Sequence, residues 1–258
     1  MDRPFSTNVS ISEIEFELDD HGTRGPLTRE ALEKAARGNF GYVLFARYLG
    51  APIAFKLIPS KTDVPVEEAH AVFMAEAENM LAVRGVIDRA RMLERIGAPL
   101  SEPCELHDAG RRCHEPHDLR GWRHLVCVYG VGTVPDLAAL APGLPPGPAH
   151  FVIMEPLTGG SLKTPPRPVE VVARAPYELA SGLTALAAAH VVHADVKPEN
   201  IVLRTPGGKL VLTDYGVSRI ARGGVDEPLY YGAAGGTVIY MAPELLDGRH
   251  ASTFASDM

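Results

Sequence analysis

The sequence predicts an α+β fold, and three features carry that expectation. Apolar or alternating runs around residues 14–18, 54–56, 122–130 and 151–154 have the period and β-branched content of strands. Residues 66–83 and 177–189 are rich in helix formers and place apolar side chains three and four positions apart. Two further short runs, Val191-Val192 and Ile201-Val202-Leu203, bracket a polar loop in which Pro198 prevents a helix.

Composition narrows the class. A chain of 258 residues can form one large domain or two small lobes, and 46% hydrophobic residues allow a real core. The net charge of −7 disfavours general binding to nucleic acid or an anionic membrane, so any phosphate recognition has to be local. Three cysteines fit a reducing compartment, cytoplasmic or nuclear, better than secretion. No apolar signal region follows Met1, no run reaches membrane-spanning length, and no internal repeat is visible.

In chain order, Ile14, Phe16 and Leu18 alternate with Glu15 and Glu17, which reads as a short strand, a docking segment or a frayed extension. Residues 19–26 are turn-rich and read as a linker. Pro65 is tolerated in the first turn of the helix over residues 66–83, where Val72, Phe73, Met80 and Leu81 make an apolar stripe; residues 89–96 are able to continue it. The second helix, with Leu179, Leu183 and Leu186 on one face, delivers the chain to the polar loop. That loop, His193-Ala194-Asp195-Val196-Lys197-Pro198-Glu199-Asn200, holds a carboxylate, an ammonium and a carboxamide able to face one cleft. A carboxylate accepts a hydroxyl proton, an ammonium neutralises a phosphate, and a carboxamide oxygen ligates Mg2+. The set suits moving a phosphoryl group onto an alcohol.

Three more motifs follow in order: Asp214-Tyr215-Gly216, Gly236-Thr237 and Ala242-Pro243-Glu244. Together with the loop they resemble the eukaryotic protein kinases, and Lys-Pro-Glu-Asn resembles the serine/threonine type. A chance Asp-x-Lys-x-x-Asn on a surface loop would not bring the other motifs with it. The resemblance implies a bilobal protein-kinase-like fold, with an antiparallel sheet plus one helix in the N-lobe and a partial helical C-lobe. Residues 1–26 are then an N-terminal extension, 27–156 the N-lobe with an insert at about 84–121, and 157–258 a partial C-lobe.

The resemblance also implies a site for ATP and Mg2+. Ala36, Gly38, Gly41 and Val43 match the glycine-rich loop, with Ala36 at the first glycine position; glycines let the backbone approach phosphate oxygens. Lys56 of Ala54-Phe55-Lys56 would grip the phosphates and pair with Glu76, while Glu78 faces elsewhere. Met154 would guard the adenine pocket, the backbone of Glu155 and Leu157 would bond adenine, and Ser161 would touch the ribose. Val43, Ala54 and Val202 would be the apolar walls. Asp195 would be the base, Lys197 its charge-stabilising partner, and Asp214 and Asn200 the metal ligands. Thr237 would bond near Asp195 and Lys197. His193 is expected in the core, stacked on Tyr215 in a column that Met80 and Val128 extend. The implied partner is a protein bearing a serine or threonine hydroxyl, with no nucleic acid and no membrane segment. The alternative is a non-catalytic nucleotide-binding scaffold or an inactive fragment; a small-molecule phosphotransferase would not be expected to carry all four motifs.

Three departures carry expectations of their own. Cys104, His107, Cys113, His114 and His117 are compatible with tetrahedral zinc or with a disordered insert, and their irregular spacing favours the insert. Ala194 stands where the family commonly has an arginine, so phosphorylation at Ser218, Tyr230 or Tyr231 is expected to matter little. Ser256-Asp257-Met258 matches the start of the family's central large-lobe helix, so the expectation is a truncated domain. Asp257 would then lack a helix to hold it, and Leu179, Leu183 and Leu245 would be exposed.

Overall fold

A computed structural model describes residues 6, 9–17, 23–38, 41–59, 65–102, 117–139, 146–164, 167–215, 218–220, 237–246 and 253–258. In chain order its strands and helices are β1 (Ile14–Glu17), β2 (Arg24–Gly25), α1 (Arg29–Lys34), β3 (Ala36–Gly38), β4 (Gly41–Tyr48), β5 (Ala51–Pro59), α2 (Val66–Arg95), β6 (Ser101–Glu102), β7 (His117–Asp118), β8 (Val128–Val134), β9 (Ala149–Met154), α3 (Val169–Ala188), β10 (Val191–Val192), β11 (Ile201–Leu203), β12 (Leu210–Leu212) and β13 (Arg219–Ile220). The chain divides into two compact units: Met1–Ala77 with Cys127–Pro156, and Glu78–Val126 with Leu157–Met258. The expected α+β class is what forms.

The first unit is a seven-stranded sheet in the order β2-β1-β4-β5-β9-β8, with β3 on β4. All of its strand pairings are antiparallel. Alternation in β1 buries Ile14 and Phe16 and exposes Glu15 and Glu17, so this stretch is a strand of the sheet; Leu18 lies outside the described residues. Phe16 meets Phe55 edge-on at 4.9 Å, and Phe55 stacks on Phe151 at 4.9 Å. Three fully buried rings from β1, β5 and β9 thus fill the sheet's inner face, each stabilising by roughly 1.5–3 kcal/mol before entropy is subtracted. The early segment of α2 packs here too, through Phe73, which stacks on His150 of β9 at 4.3 Å.

The second unit begins within α2. This helix runs unbroken to Arg95, through the residues able to continue it, because the buried stripe extends through Val83, Val86, Ile87, Ala90 and Leu93. β6 and β7 then pair, Ser101 with Asp118 and Glu102 with His117. Cys104, His107, Cys113 and His114 lie outside the described residues.

Residues 122–130 were expected to form one strand, and they do not. Arg120–His124 is a 3-10 turn, and the strand starts only at Val128. Contacts with the helices override the β-rich composition. The Trp122 indole donates to Glu94 at 3.2 Å beneath the guanidinium of Arg123, which pairs with the same glutamate at 2.8 Å. His124 turns inward to the Leu210 carbonyl at 2.8 Å.

α3 also begins earlier than expected, at Val169, with Pro176 inside it. Proline removes one donor and ordinarily marks a break; here Val171, Ala175, Glu178, Gly182, Leu183, Ala185 and Leu186 form a buried face that carries the helix through it. Leu183 is therefore buried and Leu179 and Leu245 half-buried, against the expectation of exposure. Among the described residues no helix is long and apolar enough to cross a membrane.

Candidate active site

The polar loop of residues 193–200 is set between two small two-stranded sheets in the second unit. β10 pairs with β13 before it and β11 with β12 after it. Pro198 opens a single 3-10 turn, Pro198–Asn200, closed by the Asn200 N–H donating to the Lys197 carbonyl at 2.9 Å. The loop is thus compact without being helical, and it faces its side chains inward. Asp195, Lys197 and Asn200 are all buried.

Burying a carboxylate requires that its oxygens be satisfied. Lys197 Nζ lies 2.5 Å from Asp195 Oδ2. Asn200 Nδ2 donates to the same oxygen at 3.0 Å and to the Asp195 carbonyl at 2.9 Å. The Thr237 N–H donates to Oδ1 at 3.0 Å, and Lys197 Nζ donates to Thr237 Oγ1 at 2.8 Å. One closed ring of hydrogen bonds thus joins Asp195, Lys197 and Thr237. A cavity of about 450 Å3, lined in part by Asp195, Thr237, Tyr240, Met241, Leu245 and Asp257, opens beside it.

Behind the ring, His193 is fully buried with both ring nitrogens engaged. Nδ1 accepts from the Asp195 N–H at 3.3 Å, which leaves Nε2 to donate to the Thr213 carbonyl at 3.1 Å. It sits edge-on to Tyr215 at 5.9 Å between centroids. The Tyr215 hydroxyl accepts from the Val126 N–H at 3.1 Å and donates to the Leu212 carbonyl at 3.3 Å, bonds that phenylalanine at this position would lack. Ser218 Oγ donates to the His193 carbonyl at 3.1 Å. Ser218 is fully buried, so its hydroxyl is not accessible to a modifying enzyme; Tyr230 and Tyr231 lie outside the described residues.

Asp257 is held after all. Its carboxylate accepts from the His193 N–H at 2.6 Å and the Ala194 N–H at 2.8 Å. A single turn suffices, Ala255–Asp257, stapled by the Thr253 N–H donating to Ser256 Oγ at 3.0 Å and the Ser256 N–H donating to Thr253 Oγ1 at 3.3 Å. Burial pushes the Asp257 carboxyl up, against the pull of His193 and the two N–H donors. Ala194 adopts φ 66°, a left-handed conformation costing about 1–2 kcal/mol for a residue with a Cβ, and the Asp257 bond to its N–H helps hold it there.

Asn200 and Asp214 stand at matching ends of the β11–β12 hairpin. Ile201 pairs with Leu212, the Thr213 N–H donates to the Asn200 carbonyl at 2.9 Å, and Asp214 follows at φ 66°. Because Asn200 Nδ2 is committed twice to Asp195, its carboxamide oxygen is directed away from that carboxylate. A carboxamide oxygen fixed in this way and a carboxylate at the same hairpin end form a donor set that fits Mg2+.

The remaining candidates of this unit lie along β11. Ser161 forms an antiparallel bridge to Val202, and the Leu162 N–H donates to the Ile201 carbonyl at 2.8 Å. Leu157 opens the segment and is half-buried.

Other candidates belong to the first unit. Ala36 pairs with Val43 and Gly38 with Gly41, so β3 and β4 are neighbouring antiparallel strands of one hairpin. Gly41 is at φ 143°, and a Cβ there would fall 2.0 Å from the Leu57 carbonyl oxygen, so only glycine fits. Lys56 lies on β5 between Val43 and Val152, and Ala54 between Phe45 and Met154. Glu76 is half-buried on α2. Glu155 is locked to Cys127 twice: its N–H donates to the Cys127 carbonyl at 2.9 Å, and its carboxylate accepts from the Cys127 N–H at 2.9 Å.

Sequence reasoning did not find Asn79, whose side-chain amide donates to the Ser218 carbonyl, or the Glu155 side-chain bond, because each acts on backbone groups remote from it in sequence; nor did it find Arg167, whose carbonyl partners are nearby but carry no side-chain signal. The one legible signal was Thr253-x-x-Ser256, a spacing suited to reciprocal capping.

Comparison with known proteins agrees with this geometry. Residues 147–258 match the protein kinase domain family. The Streptomyces coelicolor serine/threonine-protein kinase PkaB is 37% identical over 115 residues, 38% of this chain and 26% of that protein. The rat calcium/calmodulin-dependent protein kinase type 1B is 34% identical over 155 residues, 55% and 43% respectively. The Xenopus laevis serine/threonine-protein kinase mos is 30% identical over 230 residues, 84% and 51% respectively. The chain spans about half or less of the length of these curated relatives. With the ordered motifs and this buried carboxylate ring, residues 147–258 belong to the protein kinase domain family.

Proposed function

We propose that this chain is an ATP-dependent serine/threonine protein kinase, transferring the γ-phosphoryl group of ATP to a hydroxyl of a protein substrate. The observation that carries the reading is the buried Asp195 carboxylate, held by Lys197, Asn200 and the Thr237 N–H beside an open cavity. Such a group is fixed in place, and its residue lines a space that a peptide hydroxyl can enter. Asp195 positions that hydroxyl and accepts its proton; Lys197 offsets charge on the transferred group. Asn200 and Asp214 would hold Mg2+, which supplies neutralisation of the triphosphate when bound.

Lys56, paired with Glu76, holds the phosphates under the hairpin of Ala36, Gly38 and Gly41. The proposed adenine contacts are Val43, Ala54, Met154 and the Glu155 backbone in the first unit, and Val202 and the Leu157 backbone in the second, with Ser161 proposed to meet the ribose. The domain boundaries near residues 26 and 156, and a reducing compartment, cytoplasmic or nuclear, belong to the same proposal.

The test is phosphate transfer from labelled ATP with Mg2+ to a mixed protein substrate by the purified chain, followed by phosphoamino-acid analysis. Phosphoserine or phosphothreonine is expected, and Asp214→Asn and Asp195→Asn are expected to abolish it. Undiminished transfer by Asp214→Asn rules out the mechanism. ATP binding by the wild type without transfer selects the non-catalytic scaffold instead.

A further inference from the structure

Residues 158–162 make an unusual turn against β11. The Thr158 N–H donates to the Arg204 carbonyl at 3.1 Å, the Gly159 N–H to Leu203 at 3.0 Å, and the Leu162 N–H to Ile201 at 2.8 Å. The strand in turn donates to it, through the Leu203 N–H to the Gly160 carbonyl at 3.0 Å. The carbonyls on either side of that bond, of Gly159 and Ser161, point the other way. Both are taken by a single side chain: Arg167 Nη1 donates to Gly159 at 3.1 Å, and Arg167 Nη2 donates to Ser161. Gly160, at φ 75°, gives the room, since a Cβ there would meet Arg167 Nη2 at 2.9 Å.

A guanidinium is a rigid planar fork, so it fixes two carbonyls two residues apart in one relative orientation; an ammonium fixes only one at a time. Ser161 sits within that fork and bridges Val202 across the turn. We propose that Arg167 is a positioning residue for the nucleoside end of the site. It holds Ser161 where its side chain meets a sugar hydroxyl, and so makes the site select a ribonucleotide over a deoxyribonucleotide. This rests on the nucleotide-binding reading above.

The test combines binding with ligand-free exchange on the full chain. Wild type is expected to bind ATP about five- to tenfold more tightly than either 2′-deoxy-ATP or 3′-deoxy-ATP, whichever lacks the hydroxyl that Ser161 meets, as one neutral hydrogen bond would give. Ser161→Ala and Arg167→Gln are each expected to shrink that preference to within about twofold, with the double variant no lower. Arg167→Lys is expected to behave like Arg167→Gln.

Without ligand, the amides of residues 159–162 are expected to exchange about tenfold faster in Arg167→Gln than in wild type, with the amides of β10 unchanged. Retained sugar preference in Arg167→Gln, or a wild type that binds ATP with no preference, overturns the proposal. Equal exchange rates overturn the clamp whether or not ATP binds. A wild type that binds no ATP overturns the nucleotide reading and the selectivity with it, while the exchange comparison still decides the clamp.

Discussion

The side-chain amide of Asn79 donates to the main-chain carbonyl of Ser218 at 2.6 Å, across 139 residues of sequence. Both residues are buried, and Ser218 passes the connection on to the His193 carbonyl through its hydroxyl. Helix α2, the strand after Asp214 and the loop that carries Asp195 are thus tied by one polar chain inside the second unit. Its members have no water to fall back on, so each bond is costly to leave unmade.

Asn79→Ala leaves the Ser218 carbonyl buried without this donor and is expected to destabilise the chain by about 1–3 kcal/mol, read as a lower denaturant midpoint at unchanged slope. Ser218→Asp buries a charge where a hydroxyl donates and is expected to cost more than Ser218→Ala. Treatment with other kinases is expected to leave Ser218 unmodified in the folded chain, checked by mass spectrometry of its peptide; stoichiometric modification without unfolding would contradict the burial.

Thr237 touches the site twice, once through its N–H and once through its hydroxyl. Thr237→Ala keeps the backbone bond to Asp195 and deletes only the acceptor for Lys197 Nζ. Transfer is expected to fall by about tenfold in kcat with little change in KM for ATP, and Thr237→Ser is expected to restore most of it. Wild-type kcat in Thr237→Ala would show that the Lys197 contact does not matter for transfer.

Gly41→Ala forces a Cβ into the Leu57 carbonyl at 2.0 Å in a backbone conformation that side chains avoid. The β3–β4 hairpin has to open or shift. The expected loss is about 2 kcal/mol or more of stability, with weakened ATP binding. Thermal melting and nucleotide titration check it together; Gly50→Ala, where nothing lies within 4 Å, serves as the control for left-handed strain alone.

Two buried histidines set an acid-side limit on stability. Burial holds the His124 imidazole below its ordinary 6.5, and burial together with nearby His70 does the same to His150. The folded chain therefore refuses protons that the unfolded chain accepts. Stability is full above about pH 6.5 and falls as the pH drops through the depressed folded-state values. Urea midpoints are expected to decline between about pH 7 and pH 5.5, and less steeply in His124→Gln. A flat profile would contradict the assignment.

The Asp195 carboxylate and its neighbours were legible because they are local. Asp195, Lys197 and Asn200 lie within six positions, and Pro198 dictates a non-helical path there, so side-chain chemistry and spacing sufficed to group them. The alternation of Ile14 and Phe16 was legible for a similar reason, being a two-residue period, although it did not say whether a sheet would accept the strand. Residues 122–127 were misread because Trp122, Arg123 and His124 have partners on α2 and near β12, and those contacts outweigh their strand preference.

By itself, the order of residues determined which chemical groups this protein owns and which of them travel together on one loop. The family they resemble followed from that, since backbone preference and short spacing are local properties. Only the tertiary structure decided what holds those groups: Thr237 on Asp195 from 42 residues away, Asp257 on His193 from 64, Arg167 on the Gly159–Ser161 turn. Polar groups removed from water must find partners wherever the fold brings them, and that choice is made by three-dimensional proximity, to which local sequence pattern is blind.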